Sequence, residues 1–153
     1  MATELARHYH AELVPEFVRA FAEQKGAAIE FSDHGPIAHG QIALEDDAMR
    51  RGGDLVVQDT DLLSTVVYCR HYFGRCPPWI EEAAAARRPD LYLLCAIDVE
   101  WVADGVRDRG HMRDEMQRLF AQAVDESGVA WVELRGDVST RLLTATQAID
   151  SRR

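Results

Sequence analysis

The chain is predicted to fold as an α/β domain built on a mainly parallel sheet, and three observations carry that prediction. Short apolar runs of strand length alternate with segments whose apolar residues recur at helical spacing. The run Leu91 to Ile97 is apolar throughout, the pattern of a strand buried on both faces by crossover helices. The stretch Asp54-Leu55-Val56-Val57-Gln58 empties into Asp59-Thr60-Asp61, and open parallel sheets bind their ligands outside the carboxyl ends of the strands.

In chain order, Thr3 to His10 reads as a short helix, Leu13-Val14 as a brief strand ended by Pro15-Glu16, and Phe17 to Gln24 as a helix stopped by Gly26. Ile29 to Gly35 is a polar connection. From Pro36 to Arg51 the residues Ile37, Ile42, Ala43, Leu44, Ala48 and Met49 keep roughly helical spacing, and Gly52-Gly53 ends the helix. The strand ending at Gln58 leads into a helix from Leu62 to about Phe73, broken by Gly74, Pro77 and Pro78. Trp79 to Arg88 is a short amphipathic helix and Pro89-Asp90 a turn. After the apolar run, Asp98 to Gly110 is a charged loop, His111 to Glu126 a helix, Val129 to Leu134 a strand and Ser139 to Ile149 a last helix. No repeat, low-complexity tract or long linker divides the chain, so residues 1–153 are expected to form a single domain.

Composition supports a globular protein: 153 residues, 47% hydrophobic and 28% charged, suffice for a real core. A net charge of -9 argues against general affinity for nucleic acid, whose binding rests on neutralising phosphates. Met1 to His10 contains Glu4, Arg7 and two histidines and is no signal peptide, and no apolar run reaches the roughly 18 to 20 residues of a membrane span. A cytoplasmic protein without a membrane partner is expected. Cys69, Cys76 and Cys95 have no C-x-x-C spacing and read as free thiols filling small apolar spaces. Lys25 is the only lysine; the other sixteen basic side chains are arginines.

Three clusters can carry chemistry. Asp59 and Asp61, at a strand end, can hold Mg²⁺ directly or through water, as hard oxygen ligands do; equally, Asp61 can cap the helix that starts at Leu62 and Asp59 can be a loop carboxylate. The block Trp101 to Gly110 has the make-up of a phosphate lid, with Arg107 and Arg109 as bidentate phosphate ligands and Gly105 and Gly110 as hinges; its arginines can also pair with Asp104 and Asp108 in a solvated loop. Glu16 can receive a substrate hydroxyl with Arg19 on the same helical face, or the two can form a surface pair. Trp79, after Pro77-Pro78, reads as a core or turn anchor, or as a flank for a flat base.

Taken in order, Pro15-Glu16-Phe17-Val18-Arg19, Gln41 with Leu44-Glu45, Asp59-Thr60-Asp61-Leu62-Leu63-Ser64-Thr65, Tyr72-Phe73-Gly74-Arg75-Cys76-Pro77-Pro78-Trp79, Asp90-Leu91-Tyr92-Leu93-Leu94 and the Trp101 to Gly110 block resemble the P-loop ATPase/kinase domain of NadR-type NAD-biosynthesis proteins, the ribosylnicotinamide kinase domain. The similarity runs from about Leu5 to Ile149. It implies a three-layer α/β/α fold of the P-loop NTPase type, with ATP and Mg²⁺ as cofactors and a small-molecule nucleoside whose 5′-hydroxyl is phosphorylated. Under it, Asp59 and Asp61 are the catalytic acids, with Asp59 on Mg²⁺. Arg107 and Arg109 are phosphate or lid arginines, and Glu16, Arg19, Trp101 and Asp104 bind substrate. Asp137 and Ser139, in the loop after the last strand, border the adenine.

One departure is large. No Gly-x-x-x-x-Gly-Lys-Ser/Thr loop occurs in the chain, so the family's central first strand and phosphate loop are expected upstream of Met1. Lys25, before Gly26, has no glycine-rich turn to replace them. Since positioning and charge stabilisation dominate phosphoryl transfer, a weak or inactive kinase is expected, and an open sheet cleft would favour self-association. The alternatives are a non-catalytic nucleotide-binding or regulatory module of the AAA/P-loop class, and a phosphohydrolase with Asp59 as nucleophile; Leu62-Leu63 after the acids and the lack of a later lysine weigh against the phosphohydrolase.

Overall fold

A computed structural model of the chain describes residues 1–98 and 112–153; Trp101, Asp104, Arg107 and Arg109 therefore lie outside the described residues. The chain divides into two compact units, residues 2–87 and residues 88–153 with Met1. Among the described residues each contains one two-stranded parallel sheet, so the α/β class and the parallel pairing expected from the alternating pattern are present.

The unit of residues 2–87 runs α1 (Ala2–Tyr9), β1 (Glu12–Val14), α2 (Phe17–Lys25), a 3₁₀ turn (Phe31–Asp33), α3 (His34–Arg51), β2 (Val56–Gln58), α4 (Leu62–Phe73) and α5 (Pro78–Ala86). β1 and β2 pair in parallel, with Glu12 opposite Val56 and Val14 opposite Gln58. Parallel neighbours need a long crossover, and α2 with α3 supplies it. Gly26 and Gly74 close α2 and α4 in the left-handed region, at φ 62° and 67°, each giving its N–H to the helix carbonyl four residues back, a conformation glycine adopts without steric cost. Ala38, Leu62, Val66 and Ile80 pack α3, α4 and α5 together, with Ile42, Cys76, Ala83 and Ala84 around them.

The unit of residues 88–153 runs β3 (Tyr92–Cys95), α6 (Arg113–Glu126), β4 (Trp131–Leu134) and α7 (Val138–Asp150). β3 and β4 pair in parallel from Tyr92 opposite Trp131 to Cys95 opposite Leu134. Ala96, Val124, Leu134, Ala145 and Ile149 form its buried apolar centre.

Several boundaries differ from the sequence expectation. α3 begins at His34 rather than after a polar connection to Gly35, because the 3₁₀ turn feeds straight into it: Glu30 and Asp33 cap that turn reciprocally. Leu91 to Ile97 is not buried on both faces. Tyr92, Leu93 and Leu94 are half-buried and Cys95 is exposed, since β4 is the only strand beside β3 among the described residues. Cys95 is thus no core filler, whereas Cys69 is fully buried and Cys76 half-buried. Burial, with Cys69 alongside, pushes the Cys76 thiol up to about 12, so this pair stays in the unreactive thiol form.

Two features of α3 set its neighbours. A Cβ at Gly40 would fall inside the ring of Phe17, the first residue of α2, so the absence of a side chain lets α2 start against α3. Farther along, buried Glu45 is paired with Arg87, which follows α5 and also pairs with Asp46. Burial raises the Glu45 pKa, Arg87 opposes that rise, and the charges of Asp61 and Asp46 add to it.

Gly40→Ala is expected to destabilise the unit by about 1–3 kcal/mol through overpacking against Phe17, read as a lowered denaturant midpoint at unchanged slope. For Glu45, the folded chain holds a proton to higher pH than the unfolded chain does. Its contribution is complete below the ordinary glutamate range and declines as pH rises through the raised value. Measured against Glu45→Gln, which lacks this slope, the wild-type protein should gain stability between pH 7 and pH 5. Arg87→Ala should cost about 1–3 kcal/mol at pH 7, discounted for the partial exposure of Arg87, and less at pH 5; a pH-independent difference would refute this account of the pair.

Candidate functional site

The carboxyl ends of β1 and β2 are joined by a side chain from the crossover helix. Ile37, Ala38, Gln41, Glu45 and Ala48 recur at three- and four-residue spacing and form much of the buried face of α3. Gln41, only 2% exposed, accepts a hydrogen bond from the Phe17 N–H at 3.0 Å and donates one to the Thr60 carbonyl at 3.1 Å. Its amide thus satisfies one group just past β1 and one just past β2. The strand pairing continues one residue farther, where the Asp59 N–H donates to the Val14 carbonyl at 2.9 Å.

This arrangement brings four of the expected site residues to one end of the β1–β2 pair. Glu16 and Arg19 stand at the start of α2 and form an ion pair at 3.5 Å; the Glu16 side chain is 11% exposed, so it is mostly covered rather than a free surface acid. Asp59 is exposed at the strand end. Asp61 caps α4, its Oδ1 accepting the Ser64 N–H at 3.3 Å; the capping reading of Asp61 therefore holds in geometry, and the cap fixes its carboxylate at the rim. Glu45 lies within electrostatic reach of Asp61. Lys25 ends α2 with its ammonium paired to Glu30 and Asp33, and these bonds, led by that to Asp33, raise its pKa. Its charge is thereby committed to the turn that opens α3.

In the other unit the carboxyl ends of β3 and β4 are held by Arg141 of α7. This guanidinium, 6% exposed, donates to the Gly136 carbonyl at 2.8 Å and the Ala96 carbonyl at 2.9 Å, and pairs with Asp98. Asp98 in turn accepts the Gly136 N–H at 2.7 Å, and that bond, followed by the charge of Arg141, holds its carboxyl below the usual range. Asp137, expected near an adenine, caps α7 by accepting the Thr140 N–H at 2.7 Å, which lowers its pKa. Ser139 is exposed in the first turn of α7. Trp79, read as a core or turn anchor or a base flank, is 37% exposed and stacks on His39 with ring centroids 4.6 Å apart.

Sequence reasoning gave no individual role to Gln41, Glu45, Asp98 or Arg141. Three of them shared a legible signal: a polar residue standing in the apolar register of a helix, Gln41 and Glu45 with Ala38 and Ala48, and Arg141 with Ala145 and Ile149. Asp98 carried no such mark.

Among the described residues no helix is long and apolar enough to cross a membrane. Over 125 residues the chain is 30% identical to the trifunctional NAD biosynthesis/regulator protein NadR of Escherichia coli K12, an alignment covering 80% of this chain and 30% of that protein. It is 29% identical over the same length and shares to the protein of that name from Salmonella typhimurium LT2. The chain thus spans less than a third of the length of these relatives. The resemblance first carried by short motifs agrees with a model of the AAA domain that matches residues 1–141, and parallel strands whose polar ends are braced from neighbouring helices suit that assignment: the chain belongs to the AAA domain family.

Proposed function

We propose that this chain is the larger part of an ATP-dependent nucleoside kinase domain of the ribosylnicotinamide type. In this reading residues 1–153 act as one three-layer P-loop-type domain whose central first strand and phosphate loop this sequence does not contain. The observation that carries the reading is the Gln41 brace, which gathers Glu16, Arg19, Asp59 and Asp61 at one end of a parallel strand pair, in a chain related to NadR.

Asp59 offers Mg²⁺ a single exposed carboxylate at the strand end, the kind of oxygen ligand that takes a water-bearing magnesium ion, and among the described residues no three His, Cys, Asp or Glu side chains are grouped to add to it. The metal would supply charge neutralisation for the phosphates of ATP. Around it, Asp61, held by its cap, receives the proton of the attacking hydroxyl, and Glu16 with Arg19 orients the nucleoside. Arg107 and Arg109 serve as phosphate ligands, Trp101 and Asp104 bind substrate, and Asp137 and Ser139 border the adenine. The described residues fit a triphosphate less well. Lys25 is engaged elsewhere, and the sequence has no glycine-rich cradle. Kinase turnover by this sequence is therefore weak or absent. The missing cradle also favours a second reading, a regulatory module that binds a nucleotide without turning it over.

Calorimetric titration of nicotinamide riboside and of Mg-ATP separates the two. The kinase reading expects nucleoside binding that weakens about tenfold, roughly 1.4 kcal/mol, in Asp61→Asn and in Glu16→Ala, with weak Mg-ATP binding. Tight Mg-ATP binding without any nucleoside heat would establish the regulatory module instead.

A further inference from the structure

Glu45 follows Gln41 by one helical turn, so both side chains leave α3 on the same face. Gln41 is fully committed to Phe17 and Thr60; Glu45 is not. It is 4% exposed, and its Oε2 accepts Arg87 Nε at 2.9 Å. Its Oε1 is buried and has no hydrogen-bond partner among the described residues. An acceptor left in that condition is costly, about 1–3 kcal/mol, and buried polar atoms without partners are rare enough to call for a reason.

We infer that Glu45 Oε1 is a receiving group for a sugar hydroxyl of the nucleoside, set behind the Asp61 rim. The inference rests on the kinase reading and adds to it a residue that recognises the sugar. Local charge selects the class of ligand. Around Glu45 the charges of Asp46 and Asp61 add to its own, and Arg87 is already engaged by Glu45 and Asp46, so a phosphate or carboxylate meets like charge. A metal ion fits poorly, because among the described residues no three His, Cys, Asp or Glu side chains are grouped to hold one. A neutral hydroxyl meets both conditions: it carries the donor that Oε1 lacks and brings no charge into a covered place. Oε1 is closed to bulk solvent, so the hydroxyl enters with a side-chain shift, and Arg87, 30% exposed, is the neighbour with room to move.

The test compares nicotinamide riboside with its 2′-deoxy and 3′-deoxy analogues by calorimetry on the full chain and on Glu45→Ala and Glu45→Gln. One deoxy analogue should bind the wild-type protein about tenfold more weakly than the parent nucleoside. That ratio should fall to near one in Glu45→Ala and be partly kept in Glu45→Gln, whose carbonyl still accepts. Far-UV circular dichroism establishes that each variant is folded before its ratio is read. If Glu45→Ala does not fold, Glu45→Met, which keeps the volume without the acceptor, gives the same reading. A ratio that is equal in wild type and variants, or no deoxy penalty in wild type, overturns the assignment to Glu45 and leaves the kinase reading standing; absence of nucleoside binding altogether overturns both.

Discussion

The rim of the β1–β2 pair depends on the two hydrogen bonds of Gln41. A carboxamide is the one kind of neutral side chain that presents an acceptor and a donor pair on the same rigid plane, and this one reaches a backbone N–H past one strand and a carbonyl past the next. Both backbone groups would otherwise be left in a partly buried position where water is scarce. The bond to the Phe17 N–H also satisfies one of the donors that the start of α2 leaves without an intrahelical acceptor. Gly40, the preceding residue, makes room for the Phe17 ring. Two adjacent positions of α3 thus fix where α2 begins, and with it where Glu16 and Arg19 stand.

Arg141 performs the equivalent task for β3 and β4 with a charged group, and the difference has electrostatic consequences. Its guanidinium meets two carbonyls and Asp98, and the Gly136 N–H, followed by this charge, lowers the Asp98 pKa. Gln41 brings no charge. Near it Glu16 pairs with Arg19 and Glu45 with Arg87, and burial, with the charges of Asp61 and Asp46 added, raises the pKa of Glu45. One strand end is closed by an internal ion pair; the other keeps an exposed Asp59 and a Glu45 oxygen without a hydrogen-bond partner among the described residues.

The element order was legible from the residues because the signals were strong and local. Helical apolar spacing, Gly26 and Gly74 as stops, and Asp61 ahead of Leu62 located α2, α3 and α4 to within a residue or two. The burial of β3 was not legible. A continuous apolar run reports what a strand can tolerate, whereas exposure depends on which strands lie beside it, and β3 has one such neighbour among the described residues. At the site, the acids were readable because they directly follow a strand. The braces were harder to find, since Gln41 and Arg141 bond to backbone groups far away in sequence, and backbone partners leave no trace in composition. Their presence in an apolar register was the only available sign.

In the proposed kinase reading, the acids at this rim decide which half of a phosphoryl transfer it can serve. A triphosphate needs cations and converging N–H groups, and at this strand end the N–H of Phe17 is taken by Gln41, that of Asp59 by Val14 and that of Ser64 by Asp61. The chain's one lysine, Lys25, is held at a turn by Glu30 and Asp33. What the rim offers instead are carboxylates of differing exposure: Asp59 open to solvent, Asp61 fixed by a cap and Glu45 covered with one oxygen unfilled. Such a gradient suits a ligand that brings hydroxyl hydrogens to the covered side and a hydrated cation to the open one. In the proposed reading a phosphate would approach these acids with its charge masked by the metal. The β1–β2 end is therefore, in the proposed reading, the acceptor's side of the reaction, and a cradle for the donor's phosphates must be built from other residues.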